Sequence, residues 1–394
     1  MHAYEVFKDL AIILIAAKLL GILARKCNVP QVVGEIVAGL LIGPSILGWV
    51  SQTDFLTQMA EIGVMLIMFS AGLGTNLKDL KNTGGKAFLI ACAGVGIPLI
   101  AGTLLYMLFY GASAVGTPEF FTAVFIGVIL TATSVSITVK TLSELGKLKT
   151  PLGTTIVSAA IIDDIIGIIV LAVVIGIGGG TQERGIGEVI LRNLLFFVIF
   201  GAGGIALYKF FKKLDSRYRH TQRIPIFGLT LCFAMSYIAE KYFGVADITG
   251  AFLAGVILCN IRDSEYIEGK IDINSYMLFG PVFFAGIGLK TDLHGISTSL
   301  ILFAVCFIVI ALLSKIVGCG LMAKLCKYSR KDSLKIGIGM MTRGEVALIV
   351  AQKGLSVGLI DDVFFTPVIL LIILSSVLTP IFLKLLYKNE ASEI

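Results

Sequence analysis

The chain has 394 residues, of which 57% are hydrophobic and only 15% charged, with a formal net charge of +6. A soluble protein of this length needs far more polar surface, so the composition excludes a soluble globular enzyme and specifies a polytopic, all-α membrane protein. The positive balance is not a nucleic-acid signal, because the basic residues are sorted between alternate connections.

One bilayer crossing takes about 20 predominantly apolar residues. Thirteen such windows follow one another, near 4–24, 31–47, 56–74, 87–110, 119–139, 150–178, 188–208, 224–240, 246–261, 273–289, 298–323, 336–352 and 363–383. The first has no basic cluster before it and no small-residue cleavage site after it, which predicts a retained helix rather than a signal peptide. Of the 32 Lys and Arg residues, twenty-three fall in one alternating set of connections, from Arg25 and Lys26 to Lys384 and Lys388. The opposite set holds Arg184, Lys241, Lys290 and Lys353, and five more (Lys8, Lys18, Arg192, Lys315, Arg343) lie inside windows. Basic connections face the cytoplasm, which places the C-terminus inside and, after an odd number of crossings, the N-terminus outside. The chain stops a few residues past its last window, so no soluble regulatory domain is expected to follow. The seven cysteines lack metal-ligand spacing and read as reduced packing residues.

The second window carries Gly34-Glu35-Ile36-Val37-Ala38-Gly39, echoed about 215 residues later by Gly250-Ala251-Phe252-Leu253-Ala254-Gly255. The third ends in Phe69-Ser70-Ala71-Gly72-Leu73-Gly74, echoed by Phe283-Phe284-Ala285-Gly286-Ile287-Gly288, and each copy is followed by Thr-x-Leu (Thr75 and Leu77; Thr291 and Leu293). Small-residue faces pack helices closely in any membrane protein. The shared order of both motifs predicts more: windows 1–6 and 8–13 are duplicates, inverted because an odd number of helices separates them. Glu35, Glu61 and Lys18 read as structural or interfacial charges, and His2, His220 and His294 suggest no metal cage.

The fifth window contains Thr131, Thr133, Ser134, Ser136 and Thr138, five hydroxyls in eight residues, enough to satisfy a locally opened backbone. Its repeat partner, the twelfth, contains Gly339-Met340-Met341-Thr342-Arg343-Gly344-Glu345. Two broken helices in matching positions of two halves point to a transport site, where facing half-helix ends leave partial charges for Arg343 and Glu345 to compensate. Between these windows, Asp163 and Asp164 are the only charged residues from Lys149 to Glu183. A charge at that depth costs about 2.5–3.5 kcal/mol on insertion scales, and two in a row read as a carrier site for a cation, a proton, or both in turn. Lys315 is a lone intramembrane lysine in the eleventh window. With about 1.5 Å of rise per residue, Asp163 and Lys315 lie roughly 20 and 13 Å from the cytoplasmic ends of their helices, so an ion pair is feasible and snorkelling requires a long reach. Adjacent helical residues diverge by about 100°, so one aspartate is expected to face Lys315 and the other the broken helices, without geometry saying which.

Gly34-Glu35 through Gly43-Pro44-Ser45, the Thr131–Ser136 break, Asp163-Asp164, Lys315 and Arg343-Gly344-Glu345 span nearly the whole chain. In that order they resemble the monovalent cation:proton antiporter family, in its sodium/proton branch with thirteen helices. The resemblance implies two crossed broken helices in a mobile core, 83–180 and 298–388, moving against a scaffold and dimerisation panel, 1–82 and 224–297. Residues 181–223 then form a linker helix with its basic loop. It further implies that Asp164 binds the monovalent cation with help from Thr131, Thr133, Ser134 and Ser136, and that Asp163 pairs with Lys315 in one protonation state. A double aspartate goes with electrogenic exchange in that family.

The resulting expectation is a secondary active Na⁺ (or Li⁺)/H⁺ antiporter in a bacterial or archaeal plasma membrane, working by alternating access as a homodimer in pH homeostasis. No cofactor, nucleic acid or enzymatic activity is expected. Potassium/proton exchange is an alternative, although potassium-efflux relatives usually add a nucleotide-binding domain. A sodium-coupled organic-solute symporter would need a larger polar cavity. Intramembrane aspartyl proteolysis needs two carboxylates sharing one proton, which neighbours diverging by about 100° cannot do. A passive channel would not need twin breaks in inverted halves.

Overall fold

The computed structural model describes residues 3–27, 31–75, 77–148, 150–178, 186–218, 220–290 and 298–391, and among them every regular element is helical. In chain order these are α1 (Ala3–Lys26), α2 (Gln31–Ile42), α3 (Asp54–Leu73), α4 (Leu77–Tyr110), α5 (Pro118–Thr131), α6 (Val135–Glu144), α7 (Pro151–Gly178) and α8 (Ile186–Arg217). They continue as α9 (Arg223–Ile238), α10 (Asp247–Leu258), α11 (Ser264–Asn274), α12 (Gly280–Lys290), α13 (Thr298–Leu325), α14 (Arg330–Gly339), α15 (Glu345–Ser356) and α16 (Phe365–Ala391). Among the described residues eight helical runs are long and apolar enough to cross a membrane, and α2, α5, α10 and most of α15 are shorter apolar helices. Each of the thirteen sequence windows falls on helix, but several boundaries shift: α4 begins at Leu77 rather than 87, α8 runs to Arg217 rather than 208, and α16 runs to Ala391 rather than 383. Two further shifts have a plain physical cause.

The second window was expected to run to residue 47, but α2 stops at Ile42 because Gly43-Pro44 follows. Proline lacks an N–H and disfavours helical backbone in the residue before it. The tenth window was expected to start at 273, but helix begins at Ser264, and a π-type turn (Ser275–Phe279) joins α11 to α12. The added stretch, Ser-Glu-Tyr-Ile-Glu-Gly-Lys-Ile-Asp-Ile-Asn, is too polar to register as a crossing, yet it buries Ile267 and Ile271 four residues apart on one face. Lys270 therefore lies within a helix rather than in a connection. Several helix starts are capped as their sequences require, with Thr53, Thr117 and Ser329 hydroxyls accepting from Leu56, Phe120 and Asp332 N–H groups.

The helices form two compact units. The first comprises α1–α3 and α8–α12. Two backbone-close crossings organise it. A Cβ at Gly39 of α2 would stand 1.9 Å from the Ala285 carbonyl oxygen of α12, and one at Gly288 would stand 2.1 Å from that of Ile36. A Cβ at Gly72 of α3 would likewise meet the Phe252 carbonyl of α10 at 2.2 Å, and one at Gly255 the Phe69 carbonyl at 2.3 Å. Exchanging the paired sequence motifs turns the α2–α12 contact into the α10–α3 contact. Thr291 and Leu293 of the second motif, like His2 and His294, lie outside the described residues.

The second unit comprises α4–α6, most of α7, and α13–α16. Its core gathers Ile156, Ala159 and Ala160 of α7, Leu142 of α6, Ile336 and Ile338 of α14, and Leu383 of α16 around the gaps that separate α5 from α6 and α14 from α15.

Candidate functional site

The fifth window opens at Ala132–Ser134 and the twelfth from Met341 to Gly344. The two openings touch through their backbones: the Ser134 N–H donates to the Thr342 carbonyl at 2.8 Å. Thr138 Oγ1 donates to the Gly339 carbonyl at 2.8 Å and lies 3.4 Å from Thr342 Oγ1. Gly344 allows this approach, since a Cβ there would stand 2.8 Å from Ser134 Cβ.

Ending α5 inside apolar surroundings leaves its last carbonyls without helical donors. Two cations supply them. Arg343, fully buried, donates from Nη2 to the Leu130 carbonyl at 2.7 Å and to the Ala311 carbonyl at 3.2 Å. Its own N–H is held by Ser375 Oγ at 3.0 Å. Lys315 donates to the Thr131 carbonyl at 2.8 Å. Both charges therefore sit at the partially negative C-terminus of α5.

Lys315 is 0% exposed, although Leu313 and Val317 on the same helix are 54% and 46% exposed. The helix thus turns apolar side chains outward and Lys315 inward, which rules out snorkelling. The ammonium lies 2.7 and 2.9 Å from Asp163 Oδ1 and Oδ2, and 2.7 Å from the Gly94 carbonyl of α4. With Thr131, this supplies an acceptor for each of its three protons. Asp163 is itself 1% exposed and takes a further hydrogen bond from Thr133 Oγ1 at 2.7 Å. A buried pair persists at this depth only when its remaining hydrogen-bonding capacity is filled. Asp164, one residue on, is half-buried.

The structure therefore brings Asp163, Lys315, Thr131, Thr133 and Arg343 together in one unit. One carboxylate, Asp163, meets both the lysine and the broken helix, where the sequence had divided those contacts between two. The Thr131 hydroxyl is turned to the Val128 carbonyl of its own helix at 2.8 Å, so Thr131 enters the site through its backbone. Ser134 enters through its N–H. Ser136 lies in α6 and Glu345 opens α15, but their side chains fall outside the described residues. Sequence reasoning missed Gly94, whose only signal is a proline one turn on. Elsewhere, Glu35 is buried in the first unit and accepts from Gln31 Nε2 at 2.7 Å, while Lys18 and Glu61 are exposed. His220 is exposed with Nδ1 3.1 Å from Asp263 Oδ1. No cluster of three or more His, Cys, Asp or Glu suited to a metal occurs among the described residues.

Apolar helices, two of them interrupted and crossed beside a buried carboxylate–ammonium pair, define a membrane transporter rather than an enzyme. Residues 12–388 match the transmembrane sodium/hydrogen exchanger family, and the chain belongs to that family of cation/proton antiporters. It is 38% identical over 385 residues to the Na⁺/H⁺-K⁺ antiporter GerN of Bacillus cereus, covering 97% of this chain and 96% of that one. It is 32% identical to a Na⁺/H⁺ antiporter of Enterococcus hirae, covering 96% and 97%. The fold matches that of the sodium proton antiporter MjNhaP1 from Methanocaldococcus jannaschii at pH 8, with a TM-score of 0.76 at 18% identity over 97% of this chain and 98% of that one.

Proposed function

We propose that the protein exchanges Na⁺ or Li⁺ for H⁺ electrogenically by alternating access, with Asp164 as the carboxylate that binds cation and proton in turn. The observation that carries this reading is the contrast between neighbours. Asp163 is committed to Lys315 and Thr133, whereas Asp164, on the same turn of α7, is less buried. In this reading Asp163 and Lys315 hold opposite charges beside the carrier and set the field that a cation or proton meets. The crossed openings supply the local polarity. Thirteen crossings in two inverted halves, an external N-terminus, a cytoplasmic C-terminus, residence in a bacterial plasma membrane and a homodimer belong to the same proposal. The topology rests on the sorting of basic residues and the inverted halves on the two equivalent glycine crossings, while the membrane and the homodimer rest on the family resemblance alone.

Potassium is a second transported ion to test, because the name of the B. cereus relative includes it. Proton flux in vesicles, driven by Na⁺, Li⁺ and K⁺ gradients under a clamped voltage, compares these ions directly. Asp164→Asn is expected to abolish exchange with all of them while the protein still elutes as a folded species. Wild-type sodium-driven exchange in D164N would end the proposal.

A further inference from the structure

Lys315 takes one of its three acceptors from a place where a helix has none to spare. Inside α4 the Gly94 carbonyl should accept from the N–H of residue 98, four positions on. Residue 98 is Pro98, which has no N–H. The carbonyl is thereby released in the middle of a long helix, in surroundings where an unmet backbone acceptor is expensive. The Lys315 ammonium fills it at 2.7 Å.

Gly94 contributes a second feature. A Cβ there would stand 2.7 Å from Cys319 Sγ, 2.9 Å from Asp163 Oδ1 and 3.5 Å from Lys315 Nζ. Glycine lets the α4 backbone reach the ion pair, and the proline one turn on frees the carbonyl that arrives there. Thr131 offers its carbonyl for the matching reason, an interrupted helix. The ammonium is thus held by two backbone oxygens in addition to Asp163.

We infer that Pro98 is a positioning residue for transport: by withholding an N–H from Gly94 it fixes the Lys315 ammonium against Asp163. This rests on the antiport reading above and adds a determinant to it. The charged and titratable groups around Lys315 are Asp163 on α7, Arg343 in the second opening and Cys319 one turn on along α13; Cys92 of α4 faces Asp163.

The test is Pro98→Ala, measured as the pH profile of sodium-driven proton flux in proteoliposomes. The alanine N–H competes for the Gly94 carbonyl, so the ammonium loses a partner. A hydrogen bond to a charged group is worth about one to two pH units of protonation equilibrium. The midpoint of the profile is therefore expected to move by about one to two pH units, with the apparent KM for sodium changing less than twofold. Pro98→Gly restores the same N–H with a weaker helix former and should shift the profile equally, which keeps the test available if P98A is not recovered. Pro380→Ala, the same change inside α16, should leave the profile at its wild-type position. In a Lys315→Met background Pro98→Ala should have no further effect on pH dependence. A wild-type profile in both Pro98 variants, or an equal shift with Lys315 removed, would overturn the inference. Absence of exchange in the wild type would instead strike the antiport reading itself.

Discussion

Replacing Lys315 by methionine keeps the length and apolar volume of the side chain while removing its charge, so packing around α13 is largely preserved. What changes is the set of groups that depended on the ammonium. Asp163, 1% exposed, keeps a single hydrogen bond from Thr133, and the Gly94 and Thr131 carbonyls lose their donor. Breaking one side of a buried ion pair costs about 3–5 kcal/mol, and each stranded acceptor about 1–3 kcal/mol. A loss of at least about 5 kcal/mol is therefore expected. Substituting both partners, in Lys315→Met with Asp163→Asn, leaves no buried charge, and such replacements are often close to neutral. The assay is thermal unfolding in detergent, followed by size exclusion, for both single variants and the double variant. The double variant should melt above K315M. If the double variant loses the sum of the two single losses, the residues are energetically independent and the pairing is refuted.

Thr133→Val removes the hydroxyl that donates to Asp163 at nearly constant volume, and about 1.5–3 kcal/mol of stabilisation of the charged carboxylate goes with it. The pH profile of exchange should shift in T133V and return in Thr133→Ser; an unshifted valine variant would show that the hydroxyl is idle. Gly344→Ala forces a methyl against Ser134 at the crossing of the two openings, an overpacking expected to cost about 1–3 kcal/mol. Adding Ser134→Gly should restore the melting temperature, and failure to do so would place the defect elsewhere.

Much of the helical plan was legible because a bilayer imposes long apolar runs, and such runs survive in sequence without any knowledge of packing. Boundaries failed where helix continued through polar residues, as in Ser264–Asn274, because hydropathy measures the solvent a segment prefers rather than its hydrogen bonding. The openings were legible from hydroxyls and glycines, and the charges at Asp163 and Lys315 from the cost of burying them. Which aspartate meets the lysine came only from the family resemblance, which named Asp163, since a 100° step fixes the angle between neighbours but not the rotation of their helix. The carbonyls of Gly94, Leu130 and Ala311 were hidden for a different reason. Backbone acceptors carry no side-chain signature, and only a missing donor, such as the proline after Gly94, announces them.

The contact between Ser134 N–H and Thr342 C=O joins main chain to main chain, so no side-chain replacement erases either participant short of proline at position 134. Substitution can vary the hydroxyls and charges nearby while the knot between the two interrupted rods stays tied. A displacement of one rod that preserves this bond must carry the opening of the other with it. In the antiport proposed above, selectivity would then belong to exchangeable side chains and conveyance to the main chain.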